Sequence, residues 1–208
     1  MSGVVTQNVG RPSGLVKAVA AAGGAWTEIK SVTASGDATI SFVDGTDDVT
    51  LDDTYAIYCF KFINIHPETD AVDLQFQANV AGGADYNETI TSTHFTAYHL
   101  EDDSSTSLAY QTGDDQCKGT GFQTIAESIG NDNDQNVSGY LYIFDPGQTT
   151  YTKNFISRVV PARDNDSLND EHGAGHIAAA AAIDEFQFKM SSGEIDDGKI
   201  KLFGLKDS

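Results

Sequence analysis

The sequence predicts an all-β fold, an antiparallel β-sandwich of jelly-roll type over residues 26–208, preceded by an extended N-terminal arm over residues 1–25. Three observations carry this reading. Apolar and polar residues alternate in short runs such as VDLQFQANV and EFQFKM, the period of a strand with one face in water. Clusters of Gly, Asp, Asn, Ser and Pro interrupt these runs about every 8–12 residues, the spacing typical of sandwiches. Aromatic residues make up 10% of a chain that is only 39% hydrophobic, so the core is built on Phe, Tyr, Ile and Val. A length of 208 residues fits one such unit.

Along the chain, residues 1–25 hold five Gly, no acidic residue and two isolated apolar pairs, Val4-Val5 and Leu15-Val16. Such a stretch is either a disordered tail or an arm that orders against another subunit, and apolar pairs set between glycines favour the anchoring arm. Val4, Val5, Leu15 and Val16 are therefore the candidate interface residues. WTEIKSV and ATISFV follow as short alternating strands, then the acidic loop DGTDDVTLDD. TYAIYCFKFINI is apolar on both faces apart from Lys61 and Asn64, which marks a central strand, and His66-Pro67 ends it.

AVDLQFQANV points Val72, Leu74, Phe76, Ala78 and Val80 inward and Asp73, Gln75, Gln77 and Asn79 outward. Gly82-Gly83 turns it back into YNETITSTHFTAYHL as a hairpin. SLAYQT is a weak run inside the polar stretch 101–119, and GFQTIAESI suits a strand or one helical turn. VSGYLYIF and YTKNFISRVV are strands, stopped by Asp145-Pro146-Gly147 and by Pro161. Residues 162–175 read as a long polar loop. Ile177–Ile183, IAAAAAI, is helical by alanine propensity. Gly173 and Gly175 before it, and Phe186, Phe188 and Met190 after it, favour a strand instead. The closing stretch is two amphipathic strands joined through Ser191-Ser192-Gly193, which reads as a hairpin. The total is nine or ten strands.

The net charge of −19, from 31 acidic against 12 basic residues, repels phosphate backbones and anionic lipid. Nucleic acid is thus not an expected partner, and no run approaches the ~20 apolar residues of a membrane span. Of the two cysteines, Cys59 sits in an apolar strand as a small buried hydrophobe and Cys117 in a polar run. Their pairing is left open, and two cysteines are no disulfide framework. The N-terminus lacks the basic start and long apolar run of a signal peptide.

Candidate chemistry is sparse. Asn131-Asp132-Asn133-Asp134-Gln135-Asn136 has oxygen side chains at calcium-like spacing, but Asn136 replaces the loop glycine and Tyr142 the closing glutamate. A solvated turn is the better reading. The stretch with Asp164, Asp166, Asp170, Glu171, His172 and His176 lacks the HExxH order of a zinc site. Strand alternation puts His94 and His99 on opposite faces, and neither they nor His66 has a catalytic partner in the sequence. No metal, cofactor or catalytic set is expected. Tyr86, Tyr98, Tyr110, Tyr140, Tyr142, Tyr151 and Trp26 are candidates for an aromatic platform that binds glycan.

GYLYIFDPGQTTYTKNFISR, the closing AIDEFQFKMSSGEIDDGKIKLFGLK and the central TYAIYCFKFINIHPETDAVDLQFQANVAGGADY resemble a family of β-rich virion proteins encoded by marine tailed bacteriophages. SGLVKAVAAAGG resembles the short leader segments of tail- or particle-associated phage proteins. The closing FKMSSG-x-ID-x-G-x-IK pattern is the most specific part, and the alanine run 178–182 departs from the family. The resemblance implies a non-enzymatic virion protein, docked to the tail or head exterior through its arm. Its expected partners are other virion proteins and further copies of itself. The alternative is a receptor-binding module for host-surface glycan.

Overall fold

The computed structural model describes residues 25–205. Among these there are thirteen strands and no helix. The first seven are β1 (Trp26–Thr33), β2 (Ile40–Val43), β3 (Ile57–Pro67), β4 (Val72–Val80), β5 (Ile90–Leu100), β6 (Thr106–Tyr110) and β7 (Cys117–Gly119). Then come β8 (Gln123–Ile129), β9 (Val137–Phe144), β10 (Lys153–Pro161), β11 (Ser167–Ile177), β12 (Ile183–Met190) and β13 (Ile195–Leu205). Nine strands form one antiparallel sheet in the order β1-β13-β3-β9-β10-β11-β5-β6, with β7 also paired to β5. The other four form a second antiparallel sheet, β2-β12-β4-β8. The arm anchors Val4, Val5, Leu15 and Val16 lie outside the described residues.

The sheets meet over an aromatic core, because alternation turns one side chain in two toward the partner sheet. Phe60 of β3 is its hub. Its ring centroid lies 5.2 Å from Phe42 of β2, 4.9 Å from Phe188 and 5.3 Å from Phe186 of β12, all tilted or edge-on. Phe76 of β4 meets Phe155 of β10 at 5.2 Å and carries the same contact toward the wider part of the large sheet. The central position expected for β3 holds: it lies between β13 and β9.

Two expected hairpins are instead crossings between sheets. β12 pairs with β2 and β4, whereas β13 pairs with β1 and β3 in the other sheet. Likewise β4 belongs to the small sheet and β5 to the large one, so Gly82-Gly83 does not join paired strands. A hairpin keeps two apolar faces on the same side of one sheet. Folding the second strand over the core lets the two faces pack on each other, and the period-2 pattern is identical in both cases.

The polar stretch 162–175 proves largely to be a strand. β11 lies between β10 and β5 and runs in full register with β5 from Ser167↔Leu100 to Ile177↔Ile90. Its inward positions include Ser167, Asn169, Glu171 and Gly173, while Leu168 points out, so its polarity is inverted. Gly175 marks close packing: a Cβ there would sit 2.5 Å from the Thr91 carbonyl oxygen and 2.7 Å from Phe155 Cζ.

The alanine run is neither strand nor helix. Ile177 ends β11 and Ile183 starts β12, and residues 178–182 carry the chain from one sheet to the other. Its backbone groups find partners outside any ladder. Lys153, itself buried, donates from Nζ to the carbonyls of Ala179 (2.9 Å) and Ala181 (2.6 Å). Ala178 N–H donates to the Thr89 carbonyl at 2.8 Å, and the Ala182 carbonyl accepts from Ala81 N–H at 2.9 Å. Small side chains permit this close crossing, which alanine propensity alone does not register.

Candidate interaction face

The two sheets turn very different surfaces away from the core. On the small sheet, Ser41, Gln75, Gln77, Asn79, Glu185, Gln187 and Lys189 share the outer rows. Gln77 and Asn79 point outward as expected but are covered: Gln77 Nε2 donates to the carbonyls of Glu88 (3.1 Å), Thr120 (3.2 Å) and Gly121 (2.8 Å). This face is mostly polar, with Val43 in the row of Glu185 and the Phe122 ring beneath Lys189 Nζ.

The outer face of the large sheet is not. Among the described residues, eight large hydrophobic side chains are exposed, and seven of them stand here: Ile63, Phe95, Leu108, Tyr110, Ile156, Val160 and Leu168. The register aligns them with a row that crosses seven strands, Lys201–Lys61–Tyr140–Arg158–His172–Phe95–Tyr110. Four of the nine Lys and Arg among the described residues, Lys61, Arg158, Lys199 and Lys201, occupy this face of a chain whose net charge is −19. Exposed apolar side chains interspersed with cations are the composition of a binding face.

The side chains are braced against one another. Trp26 at the edge reaches Tyr142, with ring centroids 5.9 Å apart, and Tyr142 lies 4.9 Å from Tyr140. Cys59, in register between Phe203 and Tyr142, is fully buried beneath these rings, and burial pushes its thiol up to about 11. Lys61 Nζ sits 4.8 Å above the Phe203 ring, and His172 stacks on Phe95 at 4.7 Å. Lys201 pairs with Glu28 at 3.0 Å, and Arg158 holds Asp170 through two bonds of 2.9 Å. That guanidinium keeps the Asp170 carboxyl below its ordinary range. Such a surface binds by stacking, cation–π contact and apolar burial.

Of the platform candidates, the structure gathers Trp26, Tyr140 and Tyr142, and places Tyr110 at the far side of the same face. It disperses the rest. Tyr98 faces inward with its hydroxyl 3.1 Å from Ser105 Oγ, Tyr86 lies by Ser41 and Glu185 at the small sheet, and Tyr151 is exposed in a loop. Both cysteines are free, Cys59 buried and Cys117 exposed. The calcium-like stretch 131–136 makes a turn closed by Gln135 N–H on the Asp132 carbonyl at 2.9 Å, with His66 Nδ1 2.8 Å from the Gln135 carbonyl. Among the described residues no group of three or more His, Cys, Asp or Glu is placed to hold a metal ion.

Sequence reasoning missed one cluster. His94 of β5 and Glu171 of β11 are both fully buried, with Nε2 and Oε2 3.5 Å apart. Glu171 Oε2 accepts from Glu127 N–H at 3.0 Å and its Oε1 from Asn169 at 3.2 Å, so both oxygens accept, as in a carboxylate. Arg163 pairs with Glu127 at 3.1 Å. Burial pushes Glu171, Glu127 and Asp114 up. Burial alone would lower His94; Glu171, then Asp114 and Glu127, outweigh it and raise it. A proton on Glu171 would remove the charge that raises His94, and its two accepted bonds favour the charged pair. Sealed from solvent, the pair acts on stability. His99 stands on the opposite, exposed face as alternation requires.

Comparison with known proteins finds no match among protein-family models, curated proteins or solved structures.

Proposed function

We propose that the chain is a non-enzymatic structural protein of a tailed-phage virion, fixed to the head or tail exterior by its N-terminal arm. The observation that carries this is the asymmetry of the two outer faces: the small sheet turns polar groups to water, and the large sheet gathers the exposed apolar side chains and much of the positive charge. An assembly component needs such a face.

Strand order supports the jelly-roll reading. β1-β13-β3-β9 lies against β2-β12-β4-β8, and along the chain these eight strands alternate between sheets except at β4 to β8, which pair directly. Two interleaved Greek keys require this order, and β5–β7 with β10–β11 then widen one sheet. The architecture serves viral capsid and lectin domains alike. The resemblance of the β3–β4, β9–β10 and β12–β13 segments to phage virion proteins selects the first.

Deleting residues 2–20 should leave the circular dichroism spectrum and melting transition unchanged and abolish incorporation into particles, read by immunoblot of purified virions. Retained incorporation would sink the arm. Gold labelling of intact particles then distinguishes head from tail.

The Trp26–Tyr142–Tyr140 cluster beside Lys61 favours a second reading, binding of host-surface glycan. In that case a glycan array shows saturable binding, and Trp26→Ala with Tyr140→Ala weakens it at least tenfold. Absence of saturable binding on the array counts against it.

A further inference from the structure

We propose that the outer face of the nine-stranded sheet seats a second copy of this chain, the two sheets packed face to face about a two-fold axis that runs along the strands between β9 and β10. The inference does not depend on the virion reading, since particle incorporation and self-association are measured separately.

Area is the first support. With strands about 4.8 Å apart and about 3.3 Å of rise per residue, eight strands by some six residues give a footprint of roughly 700 Å². A stable interface covers about 800 Å² per partner. A smaller ligand would leave most of the seven exposed hydrophobics in water.

Charge is the second. Along the strand order the face is polarised: Lys61, Lys199 and Lys201 lie on β3 and β13 against Glu28 on β1, while Asp170 on β11, paired with Arg158 on β10, and Asp102 and Asp103 in the β5–β6 turn lie toward the other side. A two-fold axis between β9 and β10 exchanges these sides. It sets β13 over β5 and β3 over β11, and it keeps each row over itself. Lys201 then stands over Phe95, Arg158 over Tyr140, and Lys61 over His172, whose Nε2 lies 3.2 Å from Asp170 Oδ1. Cations meet aromatic rings and a carboxylate instead of one another. A two-fold axis running across the strands would instead place β13 over β13 and bring Lys199 and Lys201 toward their own copies.

The symmetry makes the contact isologous, so it closes at two copies. Ile156, at the middle of the face on β10, lies over the Tyr140–Tyr142 pair of the other copy and is half exposed in the single chain. Sheets stacked this way hold their strands about 30° apart because each is twisted.

The test is sedimentation velocity of the full chain from about 1 to 100 µM, on the wild type, Ile156→Asp, and Lys189→Glu on the opposite sheet. A wild-type dimer that Ile156→Asp converts to monomer at all these concentrations, with the circular dichroism spectrum unchanged and Lys189→Glu still dimeric, is the expected result. A wild type that is monomeric at 100 µM overturns the proposal. So does a dimer that survives Ile156→Asp, or one lost on deleting residues 2–20 but insensitive to Ile156→Asp, which would assign the contact to the arm.

Discussion

Phe60→Ala is expected to lower the free energy of unfolding by about 3–5 kcal/mol, the range for truncating a buried aromatic. The position is fully buried, and its ring touches three others from β2 and β12. Removal therefore opens a cavity between the two sheets at a point where neither backbone can move in without breaking ladder bonds. For a chain of this size the loss corresponds to a melting temperature lower by roughly 10 °C. Phe60→Leu keeps much of the buried surface and is expected to lose less than half as much. Urea denaturation followed by tyrosine and tryptophan fluorescence checks both. An Ala variant within about 1 kcal/mol of wild type would mean that the sheets do not meet at Phe60.

His94→Leu should cost about 3–5 kcal/mol at pH 6, because it leaves the Glu171 carboxylate buried without its cation. The double variant His94→Leu/Glu171→Gln removes the orphaned charge and is expected to recover most of that loss. A double-mutant cycle with no coupling energy would sink the ion pair. The pH dependence has a definite sign. With Glu171 charged, His94 is raised above its ordinary 6.5, and burial raises Glu127 and Asp114 above 4.5 and 3.8, so the folded chain holds protons that the unfolded chain releases. Each contribution is complete below the ordinary value and is lost as pH rises through the raised one. Wild-type stability should therefore climb as pH falls from 8 toward 5. Asp170 and Asp52, held below their ordinary range, withdraw stability only in stronger acid. A flat profile between pH 8 and 5 would contradict the cluster.

Most strands were legible because their apolar side chains alternate against a sheet that covers one face. Trp26–Thr33, Ile40–Val43, Val72–Val80, Val137–Phe144 and Ile183–Met190 lie where alternation puts them, and Ile57–Pro67 where a run apolar on both faces does. β11 was not legible, since its inward positions are Ser167, Asn169, Glu171 and Gly173, answered by other polar groups in the core. Nothing in a one-dimensional pattern separates such a strand from a polar loop. Which sheet each strand joins was hidden for a related reason: β12 and β13 have the same alternation whether they pair or face each other. The interaction face was half legible. Tyr140 and Tyr142 were singled out, but Phe95, Ile156 and Leu168 each look like an ordinary core residue until the register shows which way they point.

The pairing of β1 with β13 sets a condition on synthesis. Its rungs join Trp26 to Leu205 and Thr33 to Lys199, and among the described residues β1 has no other neighbour in its sheet. As the chain leaves the ribosome, β1 has no ladder partner until β13 has been translated, after the other eleven strands. β3 likewise waits for β9 and β13. Closing such long loops before any contact rewards it makes folding slow, and the nascent chain carries bare strand edges meanwhile. The large sheet thus closes only after β13 is made, and recovery of folded material in cells should depend on chaperone supply and on temperature during expression.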